Sequence, residues 1–168
     1  RIRTNMQIYW DHIFITNSSS GNKLVINELY PTSANLHYRG FSMLSRIDYS
    51  SPHIPEYYSI SKGQKWRDLI GDYTKYGDVL DLLMNSDNKY VIMNAGDEIS
   101  LNFKASNLPT LPKDWSREFI FYNDGWLKDG DLNTNRGQTV EPLPFHGMIS
   151  YPDGADGNYP TSKEYDAY

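Results

Sequence analysis

Residues 89–105 read KYVIMNAGDEISLNFKA, and their pattern sets the fold class. From 98 to 105 apolar and polar positions alternate: Ile99, Leu101, Phe103 and Ala105 fall on one side, Ser100, Asn102 and Lys104 on the other. Successive side chains of a strand point to opposite faces, so this is the signature of a strand with one buried face. Residues 89–93 (KYVIM) form a second strand, and Asn94-Ala-Gly-Asp97 supplies turn residues between them. The whole stretch is therefore a hairpin candidate.

The same period extends outward. At 6–15 (MQIYWDHIFI), Met6, Ile8, Trp10, His12 and Phe14 share one face. A polar loop follows at 17–22, then strands over 23–29 and near 35–41, with Pro31 breaking the pattern between them. From 42 to 65 the periodicity is lost and Ser, Tyr and Pro dominate, which reads as a long ordered loop packed by Tyr49, Tyr57 and Tyr58. Asp78 is placed to cap a short helix over 79–84, although the same residues also fit a strand. The run 117–122 (REFIFY) is apolar on both faces, as in a central, doubly covered strand. Seven to nine short strands, little helix and no βαβ rhythm point to an all-β chain. The expected form is an antiparallel β-sandwich, jelly-roll or galactose-binding-like, over 1–150, with an extended Tyr-rich tail over 151–168.

Composition agrees. The 168 residues include 14 Tyr, 12 Gly and 9 Pro, and Asp outnumbers Glu 15 to 6. Aromatic strands joined by Asp, Asn, Gly and Pro turns are a β-protein pattern. The chain has no cysteine, which excludes a disulfide scaffold, a thiol nucleophile and any Cys-based zinc site. Sixteen basic residues against 21 acidic give a net charge of −5, with Lys and Arg scattered, so nothing attracts nucleic acid. No apolar run approaches the ~18 residues of a membrane-spanning helix. The sequence opens on Arg1, without an initiator Met, which reads as a processed product or a piece of a longer protein.

Catalytic patterns are weak. There is no G-x-S-x-G elbow and no H-E-x-x-H, and His12, His37, His53 and His146 are far apart in sequence. Asp97 and Glu98 are adjacent carboxylates, but a glycan hydrolase needs two carboxyls facing each other across a cleft. The strongest local signal is 124–135, DGWLKDGDLNTN, where Asp129, Asp131, Asn133 and Asn135 recur at every second position. Alternate oxygens of this kind converge on calcium in loop sites. Thr134 and Val140 stand where an EF-hand loop begun at Asp129 has its glycine and its bidentate glutamate, and an Asx-rich turn bonding its own backbone is the competing reading. Trp126, Tyr122 and Trp115 lie near polar turns and are the candidates for stacking on a ligand, a sugar ring above all. Asn17-Ser-Ser matches a glycosylation sequon.

From Tyr76 onward, the blocks YGDVLDLL, YVIMNAGDEISLNF, LPTLPKDWSREFIFYNDGW, KDGDLNT and VEPLPFHGM occur in that order. They resemble the C-terminal region of large secreted or periplasmic bacterial proteins that carry FG-GAP propeller repeats and an ASPIC/UnbV module, the cartilage-acidic-protein-like group, sometimes with TPR repeats. The opening RIRTNMQIYWDHIFI resembles the start of that region. The resemblance implies an extracellular or cell-envelope setting and an adhesive or interaction role. It assigns no catalytic residues, and the family's calcium sites belong mainly to the propeller repeats. Within VEPLPFHGM, Pro142 and Pro144 stiffen an extended segment that Leu143, Phe145 and Met148 pin down, with His146 and Gly147 as the exit turn.

These readings converge on a non-catalytic interaction module that packs on a neighbouring domain of its parent chain or self-associates. A carbohydrate-binding module, with calcium in the Asp129–Asn135 loop, is the alternative, and a glycan hydrolase is the third.

Overall fold

The computed structural model describes residues 24–63, 65, 67–128, 130, 133, 136–148, 150–151, 159 and 162–168. The strand expected over 6–15, the loop and sequon at 17–22, and Asp129, Asp131 and Asn135 lie outside these residues.

Among the described residues the regular structure is mostly β. β1 (Pro31–Tyr38) is flanked by β4 (Gly77–Asp78) and β5 (Asp97–Phe103) in an antiparallel three-stranded sheet. β2 (Phe41–Ser45) and β3 (Ile54–Ser61) form a separate antiparallel pair. Short 3-10 turns cover Leu80–Leu82 and Ala105–Asn107, and a single α-helical turn, α1, covers Lys163–Asp166. No helix among the described residues is long and apolar enough to cross a membrane.

β5 fulfils its alternation. Ile99 lies opposite Leu36 and Leu101 opposite Ala34, so these side chains share one face of the sheet. Leu36 and Ala34 are buried there with Val79 and Leu82, and Leu80, Leu83, Val91, Ile99, Leu101, Tyr165 and Tyr168 pack around them. Burying one such Leu side chain is worth about 1.5–3 kcal/mol, so this small cluster is the main apolar source of stability among the described residues. Asp78 accepts from the Leu80 amide at 3.0 Å and starts one 3-10 turn. The turn aims Val79 and Leu82 at the core.

The turn before β5 forms as its residues dictate. The Asp97 amide donates to the Asn94 carbonyl at 3.1 Å, and Gly96 has φ +92°. The Gly96 carbonyl accepts from both Arg39 and Gly40 amides, so the 94–97 turn is locked to the corner after β1.

Five local expectations differ from the structure. The hairpin of 89–93 with β5 does not form: β5 pairs with β1, and 89–93 carries no strand. Residues 89–93 instead hang on Thr74, whose amide donates to the Ile92 carbonyl at 3.0 Å and whose hydroxyl accepts from the Ile92 amide at 2.8 Å. The strand expected near 35–41 begins earlier, at Pro31, where a missing N–H is harmless at a strand's first residue. The loop expected over 42–65 contains β2 and β3. Its strands lack an apolar period because nearly every β3 side chain is exposed. Finally, the strand expected over 23–29 is absent from 24–29, the part described, and 117–122 carries no strand either. The doubly covered strand expected at REFIFY is open to solvent, with Ile120 95% exposed.

The C-terminal residues lie against the core. Ser162 caps α1 by accepting from the Tyr165 amide, the Tyr165 hydroxyl donates to the Tyr90 carbonyl at 3.0 Å, and the Lys75 amide donates to the Tyr168 carbonyl at 2.6 Å.

Candidate functional site

Two polar anchors and one apolar groove define the surface. The first anchor is centred on Arg39, between β1 and β2. Its Nε stands 3.1 Å from Glu98 Oε2, its Nη1 donates to Ser42 Oγ at 3.0 Å, and its Nη2 donates to the Tyr57 carbonyl. The guanidinium lies 4.1 Å from the Tyr57 ring centroid, and the Tyr57 hydroxyl donates to Glu98 at 3.3 Å. His37 Nε2 is 3.4 Å from the same carboxylate. This cluster joins the two sheets.

It also disposes of Asp97 and Glu98 as a catalytic pair. As neighbours in a strand they point to opposite faces. Glu98 serves Arg39, while Asp97 accepts from the Tyr76 hydroxyl at 2.6 Å and the Asn94 amide at 2.8 Å. That hydroxyl hydrogen bond, helped by burial, pushes the Tyr76 phenol up to about 12.

The second anchor is the proline-rich block. Ile70 and Thr139 form a parallel bridge, the Val140 amide donates to the Ile70 carbonyl at 2.8 Å, and Lys128 Nζ donates to the Val140 and Glu141 carbonyls. Burial lowers the Lys128 ammonium below its usual range. Val140 is buried, Leu143, Phe145 and Met148 are half-buried, and Gly147 turns the chain at φ +97°. Gly71 comes so close that a Cβ there would meet Glu141 Oε2 at 2.6 Å. These bonds tie residues 139–141 to Ile70 and Lys128, and the Phe145 ring meets Tyr159 edge-on at 6.3 Å.

A groove of about 2860 Å³ borders the second anchor at Lys128, Val140 and Leu143. Its walls include Leu24, Ile26, Val91, Ile99, Leu101, Phe103, Phe119 and Phe121. The Phe103 and Phe121 rings meet edge-on at 6.5 Å. Leu24, Val25, Ile26, Phe119, Ile120 and Phe121 are each more than half exposed, an unusual concentration of large apolar side chains in water.

All three aromatic candidates, Trp115, Tyr122 and Trp126, line this groove. Tyr122 is 83% exposed, and Trp126 is 45% exposed with its ring edge-on to Tyr151 at 5.0 Å. Trp126 also borders a second pocket of about 320 Å³ with Asp87, Tyr90, Asp124, Phe145 and His146. Sequence reading missed these partners because they come from chain segments up to 59 residues apart. His146 is fixed there: its amide and its Nδ1 both donate to Asn88 Oδ1, at 2.7 and 2.9 Å. Asp87 accepts from the Lys89 amide and Asp124 from the Ser86 hydroxyl. Burial, then the carboxylates of Asp124 and Asp87, raise the Tyr90 phenol above its usual value.

Of the calcium candidates only Asn133 falls among the described residues, where it sits in a turn. No three His, Asp or Glu side chains among the described residues are grouped to hold a metal ion.

No family model, curated protein or solved structure matches the chain.

Proposed function

We propose that this chain is a non-catalytic assembly module of a larger exported protein, whose groove receives the apolar surface of a neighbouring domain of the parent chain or of a second copy. One observation carries the reading: large apolar side chains concentrate along one open groove while the described residues bury only a small core. Exposed apolar patches of this kind on folded domains mark interaction surfaces. The resemblance to the C-terminal region of FG-GAP and ASPIC/UnbV proteins supplies the extracellular or envelope setting. In this reading the two antiparallel sheets are parts of a β-sandwich of jelly-roll or galactose-binding type.

The test is light scattering of the chain over a wide concentration range, alone and mixed with the adjoining region of its parent protein. Association in either setting, weakened by Phe119→Ser and Phe121→Ser, is expected. Both residues are exposed, so the substitutions leave the fold intact. A chain that stays monomeric and does not bind its neighbour overturns the reading.

The 320 Å³ pocket favours a second reading, a carbohydrate-binding module. An aromatic face beside carboxylates suits a sugar ring, which stacks its C–H face and donates its hydroxyls. Binding of soluble glycans monitored by Trp fluorescence, and lost in Trp126→Ala, is the expected outcome. A glycan array without hits removes it.

A further inference from the structure

Among the described strands β5 has β1 on one side only. The Val79 amide donates to the Ala34 carbonyl at 3.1 Å, so the even-numbered residues of β1 around Ala34 and Leu36 turn their backbone groups toward β4. Ser33, Asn35 and His37 therefore face β5, where the register sets them opposite Asn102, Ser100 and Glu98. The amides and carbonyls of Ile99 and Leu101 are left pointing to the other side, where no described residue bonds them. An edge without a partner among the described residues is a template for another strand.

The strand is also complementary to itself. In an antiparallel pairing centred on Leu101, Leu101 meets Leu101 of the second copy, Ile99 meets Phe103, Ser100 meets Asn102, and Glu98 meets Lys104. Apolar side chains thus oppose apolar ones on the core face. On the other face an acid opposes a base at each end, which stabilises cross-strand pairs where like charges would oppose pairing. The backbone phase agrees, since residues whose N–H and C=O point outward oppose one another.

We propose that two copies of this chain pair antiparallel along β5, with the two-fold axis at Leu101, joining two three-stranded sheets into one of six strands. The proposal rests on the assembly reading above, because Ile99, Leu101 and Phe103 also line the groove. The paired strands extend the apolar wall from one copy to the next.

Sedimentation of the intact chain tests it, together with two substitutions. The native chain sediments at twice 19.4 kDa. Lys104→Glu, at an exposed residue, puts two carboxylates opposite each other at both ends and weakens dimerisation at least about tenfold at low salt. Leu101→Cys introduces the chain's only thiol, with its twin about 5.5 Å away Cα to Cα, within disulfide reach. It forms a covalent dimer on oxidation. Lys104→Cys, about 20 Å from its twin by strand rise, does not. A dimer in which a folded Leu101→Cys variant fails to cross-link, or in which Lys104→Glu changes nothing, overturns the β5 pairing and leaves groove docking standing. A monomer that binds the neighbouring domain also overturns it and leaves groove docking standing. A monomer that binds nothing overturns both.

Discussion

Arg39 carries more of the connection between the two sheets than its place in a surface turn suggests, and Arg39→Ala measures how much. The side chain is only 13% exposed, and its Glu98 partner 23%. Fully exposed pairs contribute about 0.2–1 kcal/mol, and removing one member of a buried pair costs about 3–5 kcal/mol. This pair lies between, at roughly 1–2 kcal/mol. The stacking on Tyr57 adds about 0.5–1 kcal/mol. The substitution is therefore expected to cost about 1.5–3 kcal/mol, which for a chain of this size lowers Tm by roughly 3–12 °C. Arg39→Lys recovers less than half, since a lysine keeps the charge but not the planar fork that reaches Glu98, Ser42 and Tyr57 together. Urea denaturation gives the loss, and a double-mutant cycle with Glu98→Ala isolates the coupling, expected near 1 kcal/mol. Hydrogen exchange locates it: the β2–β3 hairpin buries almost nothing of its own, so it loses protection before β1 and β5 do. A loss under about 0.5 kcal/mol with no coupling to Glu98 would refute the idea that this cluster holds the sheets together.

Three further outcomes are expected. Leu36→Ala leaves a void in the middle of the core and costs about 3 kcal/mol in chemical denaturation. Gly96→Ala destabilises by more than about 1 kcal/mol, because φ is +92° and the new methyl group would lie 2.6 Å from the Tyr38 ring. Tyr76 shapes the alkaline limb of stability. Its folded phenol titrates near 12 against 10 unfolded, so the folded state holds its proton more tightly and Tyr76's contribution, complete below pH 10, is lost as pH rises to 12. Tyr76→Phe should flatten that part of the stability curve, and a phenolate absorbance titration should lose one late-titrating group.

Much of the local structure was legible in the sequence because its causes are local. Strict alternation gave the β5 strand, Asp78 the 3-10 turn over Leu80–Leu82, and Asn94 to Asp97 the tight turn. The exposure of Trp126 and Tyr122 beside polar turns was also within reach of a sequence reading. The companions of Trp126 were not, since Asp87, Tyr90 and His146 arrive from distant segments whose own patterns are unremarkable.

What a strand pairs with is a separate question from whether a segment is a strand. Residues 89–93 have as good a claim on β5 by proximity as any, yet β1, some sixty residues earlier, takes that place. The two strands bury Leu36 and Ala34 against Ile99 and Leu101 and reach Arg39 through Glu98. The converse holds for REFIFY, whose apolar residues announce a demand for burial without saying where it is met. Composition and period by themselves determined that this chain is β-rich and where one of its principal strands runs. Only the tertiary structure decided that β1 sits between β4 and β5, that the Arg39 cluster joins the sheets, and that the most apolar segments face an open groove. The division follows from range: alternation and turn chemistry act over a few residues, whereas pairing and burial are settled by whichever distant surfaces lower the free energy of the whole chain.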